Sequence, residues 1–306
     1  MGEVLAGNHA VWEFHSDSVL IRFERGIRTP RLWSALGERR IPYDALTAVT
    51  LKPGKRDTVV LRAVPRPGAD PLMEAAAGQL REHCDPYRLV LPGERTAAAA
   101  GLADELRAAM PSDSAGPAAR FLVPAPEAPV TFKGYDAKAS FDGSAVVFRW
   151  SRTGASSVKW KAGDQYFALD GLCGVQWRTP EAPGGHLRLL PRGAAPAAGA
   201  GGTPGTSDPG GPGGAAAGAV PPDQDPAAVL FGLGYGPVHE SLPFAAAVLR
   251  AVRGRSPALP VAAVRPSRRD PADIAERIRH LGELHGAGLL TDAEFSSKKA
   301  ELLAEL

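Results

Sequence analysis

The sequence lacks most features that would declare a function at once. It has two cysteines, Cys84 and Cys173, in 306 residues. They lie far apart in dissimilar surroundings, which excludes a disulfide framework and supplies no zinc-ligand spacing. A reducing compartment fits that usage. No uncharged apolar run approaches the ~18 residues a membrane-spanning helix requires. The start, MGEVLAGNHAVWEF, has neither the basic residues nor the long apolar core of a signal peptide, and Ala6 stands where N-myristoylation needs Ser or Thr. The expectation is a soluble, cytoplasmic protein, at most peripheral at the inner face of the membrane.

An excess of one charge is also missing. Lys and Arg number 35 against 33 Asp and Glu, a net charge of +2. Phosphate neutralisation needs a dense basic stripe, so no nucleic acid partner is expected, whereas weak binding to an anionic membrane surface stays compatible with the charge. Catalytic patterns are absent as well. Of the seven histidines, none has the i, i+4 spacing of a metal-binding helix, and no cysteine or carboxylate cluster completes a site. There is no Gly-x-Ser-x-Gly and no Gly-x-x-x-x-Gly-Lys-Ser/Thr. GLGYG (232–236) lacks the βαβ context of a phosphate loop and reads as a strand-to-helix turn. The expectation is no enzyme, no catalytic or metal-binding residue and no cofactor.

What the chain does have is an internal duplication. GNHAVWEFHSDSVLIRFER (7–25) lies over GYDAKASFDGSAVVFRWSR (134–152) at an offset of 127, matching Gly7/Gly134, Ala10/Ala137, Phe14/Phe141, Val19/Val146, Arg22/Arg149 and Arg25/Arg152. IPYDALTAV (41–49) then lies over FALDGLCGV (167–175), and LRAVPR (61–66) over LRLLPR (187–192), at an offset of 126. Each copy reads as about seven short strands closed by an amphipathic helix, with Ala99, Leu102, Leu106 and Met110 spaced helically in the first and Leu242, Ala246, Leu249 and Val252 in the second.

Gly and Pro, 35 and 29 residues, are clustered between these blocks. The first copy inserts PGADPLMEAAAGQLREHCDP before its last strand, with a short helix. The second inserts a Gly/Pro/Ala segment, 193–224, which has almost nothing to bury and reads as disordered. The domains are therefore repeat 1 (1–110), a Pro-rich linker (111–129), repeat 2 (130–254), a second linker (255–269) and a helical hairpin (270–306). The hairpin carries Asp270 as N-cap with Pro271 behind it, then Thr291 and Glu294 as a capping box. Its apolar face is Ile274, Ile278, Leu281, Phe295, Leu302 and Leu306. Roughly 35 residues are too few to fold unaided, so that face must bury itself on a partner.

The tail IAERIRHLGELHGAGLLTDAEFSSKKAELL resembles the SHOCT family of short C-terminal domains in bacterial proteins, which implies an interaction or oligomerisation module. The repeats, chiefly through IPYDALTAV, resemble the bacterial domain of unknown function 4429, a family of tandem PH-like units. That resemblance implies a mostly β, α+β fold: two tandem PH-like β-barrels, each capped by a helix, followed by the hairpin.

Two groups of candidate site residues follow. Arg22 and Arg25, repeated as Arg149 and Arg152, together with Arg28, Arg31, Arg39 and Arg40 in one copy and Lys159 and Lys161 in the other, form a basic rim for an anionic lipid or acidic peptide. Trp33, in TPRLWSALGERR, is the candidate exposed aromatic of a contact surface, while the other tryptophans fill the cores. Cys173 is expected as a small core residue. The function expected is a non-enzymatic scaffold whose repeats recognise a protein or peptide and whose hairpin joins copies of the chain or docks on a partner. The alternative is a peripheral protein that binds anionic headgroups.

Overall fold

Period-two alternation in AVWEF turns Ala10, Trp12 and Phe14 to one face. This strand, β2 (Ala10–Phe14), pairs antiparallel with β1 (Glu3–Gly7) and β3 (Ser18–Phe23), and β4 (Glu38–Pro42) completes a four-stranded sheet in the order β1-β2-β3-β4. A three-stranded sheet follows, formed by β5 (Leu46–Pro53), β6 (Thr58–Pro65) and β7 (Arg88–Pro92). Helix α1 (Arg31–Leu36) lies between β3 and β4, α2 (Pro71–Ala76) between β6 and β7, and α3 (Thr96–Ala109) ends the repeat against β5. The structure is a computed structural model, and it describes residues 3–111, 116–193 and 220–254.

Apart from α2, which has no counterpart among the described residues of repeat 2, the second copy runs through the same elements: β8 (Val130–Lys133), β9 (Ala137–Phe141), β10 (Ala145–Trp150), α4 (Ser157–Ala162), β11 (Gln165–Ala168), β12 (Leu172–Arg178), β13 (His186–Pro191), β14 (Ala228–Leu230) and α5 (Val238–Gly254). Its sheets are ordered β11-β10-β9-β8 and β12-β13-β14. Even the irregularities repeat, because the ladder slips between Leu46 and Ala48 in one copy and between Leu172 and Gly174 in the other. The fold is α+β and mostly β. In neither repeat do the sheets close into one barrel; they approach at a corner where Asn8 N donates to Val90 O and Tyr135 N to Leu230 O, each at 2.8 Å. That corner explains the repeated glycine. A Cβ on Gly7 would meet Val90 O at 2.5 Å, and one on Gly134 would meet a Val229 methyl at 2.3 Å.

The expected short helix in the first insert is α2. Asp70 caps it by accepting from Leu72 N at 2.8 Å, with Pro71 in the first turn. This helix joins the repeats, because α5 packs on α2 and α1 of repeat 1 as well as on β12 and β8 of its own repeat. Helix α3 buries one stripe, Ala99, Leu102, Ala103 and Leu106, whereas α5 is buried almost all round from Ser241 to Leu249. Residues Met1–Arg255 accordingly form one compact unit with a continuous core. Polar clamps cross between the repeats: the Gln79 amide donates to Trp177 O at 2.9 Å and accepts from Thr179 N at 3.0 Å, and Arg81 pairs with Glu181 at 2.6 Å.

Part of the expected spacer between the repeats is pinned rather than free. Ala118 N donates to Pro67 O, Leu122 N to Ala69 O, and Val123 is fully buried. The hairpin, 270–306, and most of the Gly/Pro/Ala insert lie outside the described residues.

Candidate interaction surface

The repeated arginines differ in their surroundings. Arg22 sits on β3 with its guanidinium on Glu13 of β2 and 3.7 Å from Glu38 of β4, so its charge is neutralised. At the matching positions of repeat 2, Ser140 replaces Glu13, and Asp164, which replaces Glu38, accepts from Trp150 N at 3.2 Å. Two apolar residues have meanwhile become cations: Ala6 corresponds to Lys133 and Val11 to Lys138. The ladders place Lys133 opposite Lys138 and Lys138 opposite Arg149, on one outward face of three neighbouring strands. Lys133 stands 5.2 Å from the Tyr235 ring centroid. No carboxylate pairs with Lys138 or Arg149 among the described residues.

The expected basic rim is only partly brought together. Arg25, Arg149, Arg152 and Lys161 are exposed. Lys159 is not part of it. Its side chain is fully buried, with the ammonium 2.5 Å from Asp136 and 2.8 Å from Ala228 O. Burial pushes the Lys159 ammonium down and the Asp136 carboxyl up, and each partner opposes the other's shift. Arg39 is buried too, donating to Asp70 at 2.8 Å and to Tyr87 Oη at 3.1 Å, while the Tyr87 hydroxyl donates to Asp70 at 2.5 Å. Burial disfavours that guanidinium, but Asp70 and Tyr87 more than offset it and hold its pKa above the ordinary value.

Trp33 is likewise not an exposed aromatic. It is 3% exposed, with its indole N–H on Cys84 O at 3.0 Å. The exposed tryptophan is Trp160 on α4, at 53%; Val158 on the same helix and Tyr166 on β11 are exposed too. Cys173 is exposed rather than a core residue, because the ladder slip between Leu172 and Gly174 turns it out. The hairpin residues Ile274, Ile278, Leu281, Phe295, Leu302 and Leu306 lie outside the described residues.

A cleft of about 630 Å³ lies between the repeats, lined among others by Arg31 and Cys84 of repeat 1 and Glu181, Tyr235 and His239 of repeat 2. GLGYG forms its rim as the turn from β14 into α5. Burial, with Glu181 adding to it, pushes the Cys84 thiol up; burial also pushes His239 down. The thiol therefore has no activation as a nucleophile, and the imidazole is neutral at pH 7. Among the described residues no three His, Cys, Asp or Glu side chains converge on a metal position, and no helix is long and apolar enough to cross a membrane.

Lys133 and Lys138 were missed by sequence reasoning that sought residues shared by the repeats. The signal lay in the opposite comparison, in columns where one copy is apolar or acidic and the other basic. No curated protein matches the chain. The sequence matches the family described as Domain of unknown function (DUF4429) over residues 12–107 and again over 139–249, starting 127 residues apart, as the duplication requires. With both repeats covered and more than half of its length matched, the chain belongs to the DUF4429 family.

Proposed function

We propose that the protein is a non-enzymatic, cytoplasmic binding scaffold: repeat 1 is the structural partner, repeat 2 recognises a protein or peptide, and the SHOCT-like hairpin supplies multivalency or docks on a partner. The observation that supports this is the unequal use of equivalent surfaces. In repeat 1, Arg22 is neutralised and α1 lies under α5. In repeat 2 the matching row carries Lys138 and Arg149 with no carboxylate partner among the described residues, and α4 exposes Val158 and Trp160. Exposed aromatic and cationic groups that the fold does not use internally mark a contact surface. Two PH-like units followed by an assembling tail would add avidity to a weak individual contact. Light scattering after size exclusion tests the assembly half. A full chain that forms a defined oligomer while a version ending at Arg265 is a monomer supports it; two monomers remove self-assembly from the reading.

A second reading rests on Trp160 and Lys161, an exposed aromatic and an exposed cation consecutive on one short helix. That pairing suits the headgroup level of an anionic membrane. Sedimentation with acidic vesicles at low salt tests it, and protein left in the supernatant would exclude it.

A further inference from the structure

We propose that the outer face of the β8–β11 sheet docks an acidic α-helix of a partner protein, its carboxylates at one-turn spacing lying across the row Lys133, Lys138 and Arg149. This rests on reading repeat 2 as the recognition surface. The three cations occupy matching positions on β8, β9 and β10. Adjacent strands lie ~4.8 Å apart, so the row crosses the strands in steps of that size and spans ~10 Å. A helix rises ~1.5 Å per residue, so acids at i, i+3 and i+7 fall ~4.5 and ~6 Å apart along one face, in step with the row. An extended peptide presents same-side residues every ~6.7 Å and falls out of step. Strand addition would engage the sheet edges instead.

The next row along the strands is Thr131, Ser140, Val147 and Tyr166. It offers two hydroxyls, one aliphatic side chain and a Tyr166 ring that is 68% exposed, suited to the flank of an amphipathic helix. A membrane fits this face less well. Its large exposed aromatics are Tyr166 and, at the Lys133 end, Tyr135 packed on Tyr235, both ending in a hydroxyl, while Val158 and Trp160 stand on α4 and not in either row. Like charges directly opposite one another in a ladder are destabilising, so the free protein holds a repulsion that carboxylates would relieve.

That repulsion separates recognition from structure. Lys138→Glu puts an acid between two cations and is expected to hold or raise the melting temperature while binding falls. The experiment titrates the full chain into a fluorescent helical peptide with Glu at i, i+3 and i+7, and into its Gln counterpart, at about 50 and about 300 mM salt. The expected result is binding of the Glu peptide, weakened by salt, and a loss of about tenfold or more for the Gln peptide and for Lys138→Glu or Arg149→Glu. Equal binding of both peptides, or no effect of either variant, overturns the proposal. Acidic vesicles bound through Lys138 and Arg149 without peptide binding overturn the helix but keep the recognition surface. If neither peptide nor vesicle responds to the row, the recognition reading fails with it.

Discussion

Trp33 and Lys159 occupy the same place in the two repeats. Their helices, α1 and α4, begin 126 residues apart and end at Gly37 and Gly163, with φ of 66° and 69°. Trp33 packs its ring 5.2 Å from that of Phe23, and Lys159 sets its ammonium 5.0 Å from the ring of Trp150, the residue matching Phe23. A neutral aromatic pair in one copy has become a cation over an indole in the other. The cation is tolerable inside only because Asp136 came with it.

Removing that cation should be costly. Lys159→Ala leaves Asp136 buried without its partner and is expected to destabilise by about 3–5 kcal/mol in urea unfolding. Lys161→Ala, two residues along the same helix and exposed, should stay within about 0.5 kcal/mol. Equal midpoints for the two variants would show that the buried pair contributes nothing.

The triad of Arg39, Asp70 and Tyr87 gives a graded expectation. Tyr87→Phe removes one hydroxyl that both donates to Asp70 and accepts from Arg39, a loss of about 1–3 kcal/mol. Asp70→Ala strips the counter-charge from a buried guanidinium, about 3–5 kcal/mol, and also the N-cap of α2, about 1 kcal/mol more. Denaturant midpoints should therefore rank Asp70→Ala below Tyr87→Phe. The reverse order would mean that Arg39 finds another partner once Asp70 is gone.

Helix α5 makes the repeats interdependent. A fragment of residues 1–125 would expose Leu32, Leu72, Ala75 and Ala76 on α1 and α2, the two helices that α5 packs against. It is expected to bind a hydrophobic dye and to lack a cooperative melt, while the intact chain should melt both repeats in one transition. Two independent transitions in the intact chain, each matching an isolated repeat, would contradict this.

Much of this architecture was legible because duplication leaves a trace wherever the backbone is constrained. Gly7 and Gly134 are kept by the close approach of two sheets, and the apolar strand positions by period-two burial. What stayed hidden depended on partners distant in sequence. Nothing local to Lys159 announces Asp136, 23 residues earlier, and helical spacing in α5 reveals one buried face but not the second helix layer from repeat 1. A clue was nonetheless present in FAAAVLRAV, where small and apolar residues continue around the helix instead of forming the single stripe of α3. The cationic row was hidden for another reason: a search for matches passes over Val11/Lys138 and Glu13/Ser140, the columns in which the copies diverge.

His186 should make the fold sensitive to mild acid. It opens β13 at 5% exposure, and its Nδ1 lies 2.8 Å from Gly184 O; since a carbonyl only accepts, Nδ1 carries the proton, and Nε2 has no partner among the described residues. Burial lowers its pKa below the ordinary 6.5, with Arg188 and Arg178 acting in the same direction and Gly184 O and Asp225 opposing. His239 is lowered as well, by burial first and by Arg31, against Glu240. Above about pH 7 both states hold neutral imidazoles and nothing is gained or lost. As pH falls through 6.5 the unfolded chain takes up protons first, so stability declines until the lowered folded pKa is reached. Asp85 and Asp136, raised by burial, work in the opposite sense in acid, so the effect is read as a difference between parent and variant. Urea midpoints at about pH 7.5 and about pH 5.5 should fall more for the parent than for His186→Phe, which keeps the volume and removes the titrating ring. An equal fall in both proteins would assign the acid sensitivity to His239 or to another group and leave His186 a neutral filler at the start of the central strand of its sheet.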